Sequence, residues 1–185
     1  MALVVFLKGI NVGGHRRFRP SVLAKKLREY EMVNVGAAGT FVVMKHISRA
    51  KLRFELLCRL PFVTEIMICS AREIISLGDA EPFARGHSGA DIVRFVSVLA
   101  RRPRVRPALP LSLPPVGDWL VKVVELRGRF ALGFYRRRMR TIGALGQLEK
   151  WFGGAVTTRN WSSIMQIVDI LNASPAGGKP LMDKA

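Results

Sequence analysis

Acidic side chains are scarce in this chain. Asp and Glu number 13 against 30 Lys and Arg, a formal net charge of +17. Catalysis by paired carboxylates has few candidates, and most of those few lie on the polar faces of expected helices. Cysteine is nearly absent: Cys58 and Cys69 are the two. That excludes a disulfide framework and reads as free thiols in a reducing compartment. Histidine occurs three times, at 15, 46 and 87, with no CxxC or HxxxH spacing, so no metal site and no cofactor is expected. No Ser/His/Asp arrangement can be assembled from the spacing. His15 and His87 are the candidates for acid–base work, and exposed loop histidines are more often inert. Long apolar runs are missing too. The opening run Ala2–Leu7 is too short for a signal sequence and far below the ~18 residues a membrane helix needs. A soluble cytoplasmic protein, not a membrane one, is the expectation.

What is present is a hydrophobic fraction of 49%, enough to bury a core in 185 residues without staples. The excess positive charge attracts polyanions and favours salt-sensitive, sequence-blind binding to nucleic acid. Arginine outnumbers lysine 21 to 9, which codon bias in a GC-rich genome also produces. Charge alone therefore does not decide whether nucleic acid is a partner.

The chain opens on a strand apolar on both faces, Ala2–Leu7, that runs into Lys8 and a loop with Gly9, Asn11, Gly13 and Gly14. The glycines have G-x-G-x-x-G spacing, but Asn11 stands where the second must be. The next helix also starts too late to meet a phosphate at Gly14. No Lys-Ser or Lys-Thr follows, so a Walker loop fails as well. Two readings remain: an anion nest helped by Lys8, Arg16 and Arg17, or a plain turn with an Asx bond from Asn11.

Helical spacing of Leu23, Leu27 and Tyr30 behind Pro20 predicts a helix to about Glu31. Met32–Met44 is uncharged around Gly36-Ala37-Ala38-Gly39 and reads as a hairpin. Ser48 caps a helix carrying Leu52, Leu56 and Leu60, ended by Pro61. Thr64, Ile66 and Ile68 alternate as a strand, and Ser70-x-x-Glu73 is a capping box for a short helix to Gly78. This is the split βαβ order of a ferredoxin-like unit. After a loop at 79–90, a strand spans Ile92–Leu99. Arg101–Gly117 is proline-rich and cannot be one helix. A second hairpin spans Trp119–Leu126 and Phe130–Tyr135. A helix from Thr141 to Phe152, a short strand near Ala155–Thr157 and a last helix capped by Ser163-x-x-Gln166 complete it. The fold class is α+β, with two ferredoxin-like halves of mainly antiparallel sheet, 1–78 and a degenerate 79–174, and a flexible tail at 175–185. The proline-rich link stands where the second unit's first helix would be.

The strand ending Lys8-Gly9-Ile10-Asn11-Val12-Gly13-Gly14, paired with Thr157-Thr158-Arg159-Asn160-Trp161 before the last helix, resembles the uncharacterised bacterial family catalogued as domain of unknown function 1697. The resemblance spans nearly the whole chain. It implies an α+β protein of two related halves and no particular activity. Three departures stand out. Lys8 replaces the usual arginine, Ala38-Gly39-Thr40 occupies a turn commonly Ser-Gly-Asn, and Pro20 stands at a common methionine.

Candidate ligand-binding residues are Lys8, Gly9, Asn11, Gly13, Gly14, Thr158, Arg159 and Asn160. Arg159 ahead of a helix opposes the macrodipole unless an anion or carboxylate sits beside it. The structural alternative makes Asn160 or Ser162 a cap and pairs Arg159 with an acid between the halves. Candidate nucleic-acid contacts are Arg101, Arg102, Arg104 and Arg106 in the link, and Arg136, Arg137, Arg138 and Arg140 before a helix. A solvated basic face would account for the second run equally. Strand 39–44 has one aromatic, Phe41, and misses the stacking pattern of an RNA-recognition sheet. The leading expectation is a module binding nucleic acid or another anion. The alternatives are an enzyme or small-molecule binder for a phosphate- or carboxylate-bearing metabolite, and a protein–protein adaptor. Oligomeric state is left open.

Overall fold

The computed structural model describes residues 1–10, 18–78, 83, 87, 89–104 and 106–173. The first sheet contains β1 (Leu3–Leu7), β2 (Met32–Val35), β3 (Thr40–Val43) and β4 (Ile66–Ser70), in the order β2-β3-β1-β4 with antiparallel neighbours. With α1 (Pro20–Lys26) and α2 (Arg49–Arg59) in the crossovers, this is the ferredoxin-like arrangement the element order predicts. β1 lies at the centre, with Val5 opposite Phe41 on one side and Ile68 on the other. That position explains its lack of polar residues, because both faces and both edges are covered.

The second sheet contains β5 (Ile92–Leu99), β6 (Leu111–Leu113), β7 (Val121–Arg127), β8 (Phe130–Arg136) and β9 (Val156–Asn160), in the order β6-β7-β8-β5-β9. Four of its strands, β7-β8-β5-β9, repeat the first sheet's order, with α4 (Thr141–Phe152) in the place of α2. No helix stands in the place of α1. The proline-rich link instead adds β6 to the edge, pairing Leu111 with Val123 and Leu113 with Val121. Each half ends in a further helix, α3 (Ala71–Gly78) and α5 (Trp161–Asn172), and these two pack together.

The strand period of two divides the core. Val4 and Phe6 face inward and join Val96, Val98, Leu132 and Phe134 of the second sheet, with Ile74, Leu77, Ile164 and Ile167 closing that layer. Leu3, Val5 and Leu7 face the other way, onto Leu23, Leu27, Leu52 and Leu56. Phe95, Leu99, Val121 and Val123 form the outer layer of the second half with Leu148 and Phe152 of α4. The two halves therefore share one buried layer and each has a second of its own.

Local signals act as expected at two helix starts. Ser48 Oγ accepts from the Lys51 amide at 3.2 Å. Ser70 and Glu73 form the reciprocal box, with the Ser70 amide donating to Glu73 Oε2 at 2.7 Å and the Glu73 amide donating to Ser70 Oγ at 3.3 Å.

Four expectations need correction. The first helix stops at Lys26 and tightens into a 3₁₀ turn, Arg28–Tyr30, before Glu31 turns left-handed at φ 51°. Thr64 precedes β4, and its hydroxyl donates to the Lys8 carbonyl at 2.7 Å. β9 runs on to Asn160, because Phe95 and Val96 pair with Asn160 and Arg159. α5 thus begins at Trp161, and the capping box at Ser163 does not form, since that residue lies inside the helix. The tail at 175–185 lies outside the described residues.

Gly133 marks the tightest backbone approach in the sheet. It lies opposite Val123, beside a bulge between Val123 and Glu125. A Cβ there would stand 2.0 Å from the Lys122 carbonyl oxygen, which no rotamer change relieves. Gly133→Ala is expected to destabilise by about 2 kcal/mol or more. Urea unfolding should show a lower midpoint with an unchanged slope, and an unchanged midpoint would refute the packing.

Candidate functional site

Arg159 of the second motif bridges the two halves and reaches the end of β1, the strand that leads into the first motif. Its side chain, 7% exposed, reaches from β9 into the first half. Nε donates to Thr40 Oγ1 at 2.6 Å. Nη1 donates to Thr157 Oγ1 and to the Thr158 carbonyl, both at 2.8 Å. Nη2 donates to the carbonyls of Leu7 at 2.9 Å and Ala38 at 2.7 Å. A guanidinium has five N–H donors, and these five acceptors take all of them. The cation also lies over the Phe6 ring, 5.7 Å from its centroid. Burial pushes the Arg159 pKa down to about 10, which still leaves it charged at neutral pH.

Arg159 is therefore a joint between the halves, with its donors engaged by the protein itself. The carboxylate partner of the structural alternative is also replaced: carbonyls and threonine hydroxyls hold the charge. Ala38 and Thr40, from the turn that departs from the common Ser-Gly-Asn, supply two of the acceptors. Gly39 between them has φ 71°, and a Cβ there would lie 2.9 Å from Ile10 Cγ1. Only glycine lets that turn press onto the end of β1.

Three further candidates, Lys8, Thr158 and Asn160, are also occupied. Lys8 Nζ pairs with Glu149 of α4 at 2.6 Å, a second tie between halves. Thr158 Oγ1 bonds Ser97 Oγ at 2.7 Å. Asn160 Oδ1 accepts from the Tyr135 hydroxyl at 2.8 Å, so it makes no side-chain cap for α5. Gly9 is exposed with φ 65°. Asn11, Gly13 and Gly14, with His15, Arg16 and Arg17, lie outside the described residues.

The run from Arg136 to Arg140 is partly neutralised. Arg136 and Arg138 both pair with Asp91, at 3.1 and 3.3 Å. Arg136 lies 4.7 Å from the Trp119 ring centroid and Lys122 lies 4.9 Å from it, a cation–aromatic stack that the sequence reading missed. Arg137 and Arg140 are exposed. His87 Nε2 lies 3.3 Å from Lys122 Nζ. Desolvation, then the charges on Lys122 and Arg136, hold its pKa below the usual value, so the ring is neutral at pH 7.

The link cluster is arranged differently. Arg101, Arg102 and Arg104 line one cleft of about 310 Å³ with Lys150, Trp151, Phe152 and Gly153 at the end of α4. No carboxylate among the described residues lines it. Arg101 Nη2 donates to the Gly153 carbonyl at 3.1 Å, a cation at a helix C-terminus where the macrodipole favours it. Trp151 is 46% exposed. Lys150 and Trp151 escaped the sequence reading because they belong to a helix far along the chain from the link. Arg106 is exposed and outside this lining.

Redox and metal chemistry draw little from the described residues. Cys58 is exposed and Cys69 buried, and burial pushes the Cys69 pKa up to about 12, so that thiol stays protonated. No cluster of His, Cys, Asp or Glu among the described residues could hold a metal ion. No helix among them is long and apolar enough to cross a membrane.

Removing the Arg159 side chain takes the donor from five acceptors, three of them in buried bonds. Arg159→Ala is expected to cost about 3–5 kcal/mol and Arg159→Lys, with three donors, at least about 2 kcal/mol. Chemical denaturation measures both, and a near-neutral alanine variant would remove Arg159 from its place as the joint.

No family model matches the chain, and no curated protein matches it. Among solved structures it is similar to that of the conserved bacterial protein SP0830 from Streptococcus pneumoniae. The likeness covers 92% of this chain and 98% of that one, with a TM-score of 0.58 and 15% sequence identity. At that identity the likeness speaks for a shared fold of two sheets and packed helices.

Proposed function

We propose that this protein is a binding module for polyanions, nucleic acid foremost, and that the cleft between the proline-rich link and the end of α4 is its contact site. One observation carries the reading: Arg101, Arg102, Arg104 and Lys150 line a single cleft with no carboxylate among the described residues. Four cations at close quarters repel one another, and a phosphate-bearing chain relieves that repulsion while releasing its own counterions. The Arg136–Arg140 run is the lesser contributor, because Asp91 already answers two of its charges. Arg137 and Arg140 would add field at longer range. A reducing cytoplasm suits the free thiols of Cys58 and Cys69. Kinship with domain of unknown function 1697 rests on the two sequence motifs and brings no activity with it. An enzyme or small-molecule site between the motif loops draws no support from Arg159, whose donors are all engaged. A protein–protein adaptor has no specific contact surface in its favour.

Fluorescence anisotropy with a labelled oligonucleotide tests the proposal across a salt series. Binding should weaken steeply with salt, with a slope of about −0.7 per phosphate contact on a single strand. The Arg101→Ala/Arg102→Ala/Arg104→Ala variant should lose most of the affinity and flatten the slope by about 2. Arg137→Ala/Arg140→Ala should lose less. Absence of binding at low salt, or a link variant that binds like the parent protein while remaining folded by circular dichroism, would rule the proposal out.

A further inference from the structure

We infer that the nucleic acid taken by this cleft is single-stranded, held by phosphate contacts along a two-part groove with one base stacked on Trp151; this deepens the polyanion reading and rests on it. Three observations support it. First, the cleft is continued. A second one, of about 200 Å³, is lined by Arg102, Arg127, Gly128 and Arg129 at the β7–β8 turn and by Glu73 and Ser76 of α3. Arg102 lines both clefts, so the two adjoin. Arg127 is paired with Glu125, and Arg129 donates to the carbonyls of Leu99 at 2.8 Å and Ile68 at 3.3 Å, which fixes both cations in the wall. The carboxylate there, Glu73, already accepts from Ser70 and Arg49.

Second, the cations lie within clefts. Arg101 is held there by its bond to the Gly153 carbonyl, which places it before any ligand arrives. Duplexes are read by elements that protrude into a groove, such as a helix or ribbon. Clefts of about 310 and 200 Å³ do not admit a duplex, which would touch them only at their rims. A single strand can enter, set its phosphates against the arginines and turn its bases outward.

Third, an aromatic ring stands where a base would fall. Trp151 is 46% exposed and shares the first cleft with the arginines. Stacking on such a ring tolerates any base, which suits binding driven by backbone charge.

The test uses the full chain with a mixed-sequence single strand and the matching duplex of equal length, at low salt. The expected result is tighter binding of the single strand, with quenching of tryptophan emission. Trp151→Ala should weaken single-strand binding on the order of tenfold and leave the weaker duplex binding unchanged. Trp151→Phe should retain most of the affinity but lose the quenching, because a ring remains and the emitter at 151 is gone. Equal or tighter duplex binding would overturn the inference, as would a Trp151→Ala variant that binds the strand like the parent. Either result would leave a module that senses phosphate alone. Failure of both nucleic acids to bind would instead overturn the polyanion reading beneath it.

Discussion

A buried cation with no anion beside it holds the two halves of this protein in register. Arg159 leaves water almost completely, which costs several kcal/mol for an ion of its size. Five oxygen acceptors offset that cost, and they come from three separated stretches: the end of β1, the β2–β3 turn and β9. Each acceptor must be in place for the charge to be tolerated. The guanidinium fork therefore fixes the distance and angle between the sheets in a way that apolar packing alone does not. A carboxylate partner would have satisfied the charge with two bonds and left the backbone carbonyls unanswered. The arrangement found here satisfies the cation and the ends of two strands together.

The rest of the architecture follows from that joint and from the shared core. The inner faces of the sheets meet over Phe6, Val96, Leu132 and Phe134, and α3 and α5 close the layer. The outer face of the first sheet is covered by two crossover helices. The outer face of the second has only α4 and the link, because prolines at 103, 107, 110, 114 and 115 prevent a helix there. β6 takes up part of the link as an edge strand. What remains runs over the surface beside α4 and brings Arg101, Arg102 and Arg104 against Lys150 and Trp151. The degeneracy of the second half and the presence of a basic cleft thus have one structural cause.

The positive charge divides by use. Arg159 and Arg129 hold the halves together, Arg53 donates to the Ile66 carbonyl at 2.8 Å, and Arg136 stacks on Trp119 and pairs with Asp91. Each of these arginines has a structural contact of its own, whatever donors it has left over. The link arginines are exposed side chains grouped with few acids nearby. An excess of arginine is thus two populations, separated by what surrounds each guanidinium rather than by residue type.

Much of the fold was legible in the sequence because its signals are local. Val4 and Phe6 alternate with Leu3, Val5 and Leu7, Ser48 and Ser70 cap their helices, glycines turn the hairpin, and prolines exclude a helix. Each of these acts within a few residues, through sterics or a hydrogen bond to the adjacent backbone. What the sequence did not hold was the identity of any partner across space. Whether Arg159 faced a ligand, an acid or a set of carbonyls depended on where Leu7, Ala38 and Thr40 came to rest, more than a hundred positions away. The extension of β9 through Asn160 depended on Phe95 and Val96 being free to pair with it. Arg101 and Trp151 became neighbours only once the link had been laid over α4. Local sterics decide the elements; burial and the satisfaction of buried polar groups act between distant segments, so only the tertiary structure decided which charges became the joint and which were left facing water.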